Sequence, residues 1–119
     1  MKLLIFFTFI FSSVAGAVSI NNPDYKEFRL SSEVKFVEIS KNLAKLEVIV
    51  DEYKGPAKDN LELNFDAILD KTSMLEEEVA TSSSLTSSNF YMTAPEIKED
   101  LREIDLQIKR LINIDPAMY

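Results

Sequence analysis

Three carboxylates, Glu62, Asp66 and Asp70, recur at every fourth position and would line one side of a helix. Grouped carboxylates suit two chemistries: acid–base catalysis such as glycoside hydrolysis, and capture of a divalent cation. Acid–base work needs a rigid concave pocket that keeps one carboxylate in apolar surroundings. A small helical bundle rarely supplies one. A dedicated calcium site adds loop carbonyls and a compact cage, and this row has neither. Like charges at this spacing repel and slightly weaken the helix. The row reads as a solvated acidic face, with a basic partner surface as its functional alternative.

Absences bound the remaining chemistry. The chain has no Cys and no Trp, and it has no His, the usual general base and commonest metal ligand. Disulfide, thiolate and cysteine–zinc chemistry are therefore excluded. No phosphate loop and no nucleophile elbow occurs. Ser and Thr are plentiful but concentrated between Thr81 and Asn89, a poor place to hold catalytic geometry. The expectation is a non-enzymatic protein with no catalytic residues, no metal and no cofactor.

The first seventeen residues carry an address. Met1-Lys2 is a short basic start, Leu3 to Phe11 is apolar except at Thr8, and Ala15-Gly16-Ala17 is a small-x-small cleavage site. Residues 1–17 read as a secretory signal peptide with Val18 as the first mature residue; the rival is an uncleaved anchor extending to Ile20. Removing them leaves 102 residues, enough for one domain. All 20 acids remain against 12 basic residues, a net charge of −8. That balance disfavours nucleic acid and anionic membranes, both of which reward Lys and Arg. The expected protein is secreted, extracellular and acidic. Without disulfides its stability must come from packing, alone or with a partner.

Gly55 is the only glycine after the signal, and the four prolines sit at segment edges. No hairpin signal or sustained alternation appears. The fold class is therefore all-α, a small bundle of three main amphipathic helices. Phe36, Ile39, Leu43, Leu46, Val50 and Tyr53 follow a 3-4-3-4-3 spacing, which predicts a coiled-coil-like first helix over 32–54. Ser31 or Ser32 would cap it, and Gly55-Pro56 would stop it through a left-handed cap. An Asp-x-x-Glu pattern at Asp24 could start a short preceding turn within an N-terminal extension, 18–30, where Phe28 and Leu30 would pack over one end of the bundle.

Asp59-x-x-Glu62 opens a second helix over 60–80, with Leu61, Phe65, Ile68, Leu75 and Val79 as its seam. Thr72 fills the polar place by bonding back to its own helix. The short connection predicts that this helix runs antiparallel to the first. Thr93-Ala94-Pro95-Glu96 reads as the start of a third helix over 94–114, with Ile97, Leu101, Ile104, Ile108 and Leu111 inward. Residues 31–119 would form one bundle domain with a flexible Ser/Thr-rich linker at 81–90, which in a secreted chain could accept O-linked sugars.

Some apolar residues exceed what the seams need. Val34, Val37, Ala44 and Val48 form a second stripe on the first helix, about a third of a turn from the main one and interrupted by Lys41. Either the first helix is central and touches both neighbours, or the stripe meets a partner protein, a second copy or an apolar ligand. Leu63 and Met74 point away from the second seam. The candidate partner-binding residues are thus Val34, Val37, Val48, Leu63 and Met74. The leading reading is protein–protein binding or self-association. Its alternative is an extracellular carrier of a small apolar ligand such as a fatty acid, which needs an apolar pocket of about 300 Å³ or more. Insertion of released helices into membranes is disfavoured, because interfacial helices usually carry a Lys/Arg-rich polar face.

Overall fold

A computed structural model describes residues 21–114 as three helices packed on one another, with no strand among them. Helix α1 spans Pro23–Glu52, α2 spans Lys58–Ala80 and α3 spans Ser87–Asn113. The signal-peptide reading of residues 1–17 lies outside the described residues. The bundle is a rod of 53 × 23 × 18 Å.

Helix α1 is longer than its seam predicts. Asn22 caps it by accepting from the backbone N–H groups of Asp24 (2.8 Å) and Tyr25 (3.4 Å), and Pro23 takes the first helical position. Proline suits that place because the missing N–H would have had no intrahelical partner. Residues 23–30, expected to belong to an extension outside the bundle domain, are therefore the first two turns of α1. Ser31 does not cap; its hydroxyl donates to the Phe28 carbonyl at 3.2 Å.

The far end of α1 departs from expectation for a different reason. The helix ends at Glu52, its cap residue Tyr53 is extended (φ −68°), and Gly55 does not take the left-handed conformation expected of it. Gly55 is needed for space: a Cβ there would fall inside the Tyr53 phenol. The Tyr53 hydroxyl in turn accepts from the Ala57 N–H at 3.3 Å, serving one of the unpaired donors ahead of α2. Lys58 begins α2 two residues earlier than the Asp59 pattern implies. Its ammonium donates to the Val50 carbonyl and pairs with Glu62 at 3.6 Å.

Thr72 bonds back to the Ile68 carbonyl at 2.7 Å, as its place in the seam predicts. After α2, the Ser/Thr segment is a single 3₁₀ turn, Ser82–Ser84, and not nine residues of linker. Ser82 and Ser83 are buried, with the Ser82 hydroxyl on the Val79 carbonyl at 2.6 Å. Any sugar on this segment is restricted to exposed Thr81, Ser84 and Thr86–Ser88. Thr86, not Thr93, caps α3, accepting from the Asn89 N–H at 3.2 Å. Pro95 therefore sits inside the helix. The packing of Phe90 against Tyr25 and Phe28, with ring centroids 5.6 and 5.4 Å apart, holds this extra length against the core.

Arg29 donates to the Val79 carbonyl at 3.0 Å, joining the start of α1 to the end of α2, so these two run antiparallel. Tyr91 with Asp24, Asp105 with Lys35, and Lys109 with Glu38 join α3 to α1 at nearly constant offset, so these two run parallel. The core comprises Phe36, Ile39, Leu43, Leu46 and Val50 from α1, Leu61, Phe65, Ile68, Leu75 and Val79 from α2, and Ile97, Leu101, Ile104 and Ile108 from α3, with Tyr25, Phe28, Phe90 and Ala94 at one end. Burying such a side chain contributes roughly 1.5–3 kcal/mol before entropy is subtracted.

Candidate interaction surface

The inward seam of α1 satisfies both of its neighbours, and the second stripe is left outside. Val34 is 61% exposed, Val37 52% and Val48 53%, and Ala44 is also exposed. Helix α1 touches both α2 and α3, as each helix of the bundle touches the other two, and this contact does not require the wide apolar face. At ~100° per residue the stripe lies roughly 150° from the seam, farther round than a third of a turn. It occupies the back of the helix.

Leu30 extends this surface. Instead of packing over the bundle end, where Phe28 is buried, Leu30 is 65% exposed. Positions 30, 34, 37, 41, 44 and 48 follow a 4-3-4-3-4 spacing, a second heptad seam filled by Leu, Val, Val, Lys, Ala and Val. The step of four from Leu30 to Val34 was the signal for its membership. Exposed apolar residues scattered singly are ordinary; a row at heptad spacing is not.

Leu63 and Met74 are exposed too, but they lie on the back of α2 and are separated by Asp66 and Asp70. They do not join the α1 row. Of the acidic face, Glu62 is partly covered and paired with Lys58, whereas Asp66 and Asp70 stand in solvent. Among the described residues no group of three or more His, Cys, Asp or Glu side chains is arranged to hold a metal ion.

Sequence reasoning missed a charged cluster between α1 and α3. Asp105, 2% exposed, accepts from Lys35 at 2.8 Å and from Asn42 at 3.2 Å, and pairs with Lys109 at 2.8 Å. Lys109 also donates to Glu38 at 2.8 Å. Burial pushes the Asp105 carboxyl up, but hydrogen bonds from Lys109 and Lys35 outweigh it and hold it below the usual carboxylate range. Glu38 is lowered chiefly by the hydrogen bond from Lys109. Lys109 is raised, first by Asp105 and then by Glu38. With its charge compensated in this way, Asp105 is an ionised strut and a poor proton carrier. Only the Asp105–Lys109 step of four and the Lys35–Glu38 step of three were visible in sequence.

At one end of the α1–α3 interface, Phe28, Phe90, Tyr91, Ala94 and Pro95 line a groove of about 310 Å³ that opens to solvent, with Asp24, Glu27 and Lys98 at its rim. Farther along, Ser31, Ser32, Lys35, Lys98 and Leu101 line a second groove of about 210 Å³. No described helix is long and apolar enough to cross a membrane. No family model, curated protein or solved structure matches the chain.

Proposed function

We propose that this protein is exported and acts without catalysis, as an acidic helical module that binds another protein, or a second copy, through the back of α1. The observation that carries this reading is the exposed heptad row Leu30, Val34, Val37, Ala44 and Val48 on a helix whose opposite face already completes a core. A helix with two such seams has one more than its own bundle uses. The leader-like residues 1–17 support export, and the lack of Cys and His supports a non-catalytic role.

Photo-crosslinking tests the reading in the fluid into which the protein is released. A photoreactive residue at position 37 is expected to give discrete adducts that disappear with Val34→Asp, while the same residue at position 63 gives none. Equal labelling at both positions, or none at either, would overturn it.

The carrier reading draws on one observation, the groove of about 310 Å³ beside Phe28 and Phe90, a volume in the range of small-molecule sites. Its open side and its charged rim of Asp24, Glu27 and Lys98 suit an apolar chain less well than an enclosed cavity would. Native mass spectrometry of the purified protein would show bound fatty acid if this reading holds.

A further inference from the structure

The flanks of the exposed row restrict what covers it. With positions 34, 41 and 48 as a and positions 30, 37 and 44 as d, one edge carries Glu33, Ser40 and Glu47 and the other carries Ser31, Glu38 and Lys45. Glu47 is uncompensated on its edge: its Oε2 is buried with no hydrogen-bond partner among the described residues. Glu33 lies 3.8 Å from Arg29, and Glu38 is held by Lys109. Lys41 stands exposed in the middle of the row.

A second copy meets like charges in the registers that use the whole row. Parallel pairing sets Lys41 against Lys41, Glu33 against Glu38 and Glu47 against Glu52. Centred antiparallel pairing, Leu30 over Val48, sets Glu33 against Glu47 on one edge and Glu38 against Glu38 on the other. Sliding by one heptad one way sets Glu27 against Ala44, Lys41 against Leu30 and Val48 against Pro23 at the helix start; sliding the other way uncovers Leu30 and sets Asp51 against Val34. The net charge of −7 on each chain adds to the cost of self-pairing.

Resting on the reading above, we infer that the occupant is an amphipathic helix of a different protein. It carries an apolar Leu/Ile/Val seam, a single Asp or Glu opposite Lys41, and Lys or Arg along the edge that meets Glu33 and Glu47. Docking extends the bundle by one helix over ~27 Å, the length of residues 30–48. The acid opposite Lys41 fixes the register, since a polar pair in an apolar seam penalises every other alignment.

The described residues close their own core, so residues 18–119 serve as the binding unit. They are titrated with three synthetic helical peptides of 21 residues sharing one Leu/Ile seam. The first has Lys flanks and a central Glu, the second Glu flanks and a central Glu, and the third Lys flanks and a central Lys. The expected result is binding of the first at least about tenfold tighter than either of the others. Val37→Asp should weaken it by about tenfold or more with the helical circular dichroism unchanged. Equal binding of all three, or binding of the first that survives Val37→Asp, overturns the charge assignment while leaving the docking role standing. A dimer of the protein alone that Val37→Asp dissolves makes the second copy the occupant and also overturns it. No binding by any peptide, with no self-association and no crosslinks at position 37, removes the docking role itself.

Discussion

Lys35 on α1 and Asp105 on α3 meet at 2.8 Å across the interface between two parallel helices, and the carboxylate is almost wholly buried there. The pair ties α1 to α3 in the same parallel register as Tyr91 with Asp24 and Lys109 with Glu38, while the apolar seam sets which face of α1 turns inward. Asn42 completes the shell at 3.2 Å. Replacing Asp105 with Asn keeps the shape and removes the charge that two ammonium groups share. The expected loss is about 1–3 kcal/mol, since removing one partner leaves the others poorly satisfied. Urea unfolding of the two proteins at neutral pH checks it.

The same cluster sets a pH dependence. Asp105 and Glu38 are lowered in the fold, so their stabilisation is present above the ordinary carboxylate range and is lost as pH falls through the folded values. Lys109 is raised, so its stabilisation is present below the ordinary lysine value and is lost as pH rises through the folded one. The difference in Tm between wild type and Asp105→Asn should therefore be steady between about pH 5 and 9 and shrink below about pH 4. A difference independent of pH down to about pH 2 would show that the charge does not matter.

Adjacent residues on α1 should respond oppositely. Phe36 is fully buried and Val37 is half exposed. Phe36→Ala is expected to cost about 3–5 kcal/mol through lost transfer energy and a cavity. Val37→Ala should stay within about 0.5 kcal/mol. A similar cost at both positions would mean that the stripe is packed by the chain itself.

Gly55→Ala forces a Cβ into the Tyr53 phenol, which packs against the core and accepts the Ala57 N–H. The ring must move and give up that hydrogen bond, at an expected cost of about 1–2 kcal/mol. Tyr53→Leu should make a second change, Gly55→Ala, nearly neutral. A double-mutant cycle reads the coupling.

Pro95 lacks the N–H that would reach the Tyr91 carbonyl four residues back. Because Pro95 is exposed, Pro95→Ala restores that bond without disturbing the core and should stabilise by about 1–3 kcal/mol. Thermal unfolding checks the sign.

These positions also show what was legible in the sequence. The three seams were, because Phe36, Ile39 and Leu43 and their counterparts repeat at helical period and any partner must cover them. The helix starts were not. Thr93-Ala94-Pro95-Glu96 has every local mark of a beginning, yet the packing of Phe90 on Tyr25 and Phe28 continues the helix back to Ser87. Asn22-Pro23 marks the true start of α1, but the apolar periodicity that announces the helix begins only at Phe36. The surplus stripe on α1 was visible as spacing, but whether the bundle would cover it depends on where α2 and α3 settle. That placement rests partly on Lys35 and Asp105, seventy positions apart, which no local pattern connects.

Methyl-labelled NMR of residues 18–119 titrated with the Lys-flanked, Glu-centred peptide tests the exposed face of α1 most directly. Shifts are expected at the methyls of Leu30, Val34, Val37 and Val48, while the core methyls of Leu43, Leu46 and Val50 remain in place. Shifts centred on Leu63 and Met74, or spread through the core, would contradict the assignment of the back of α1 as the binding surface.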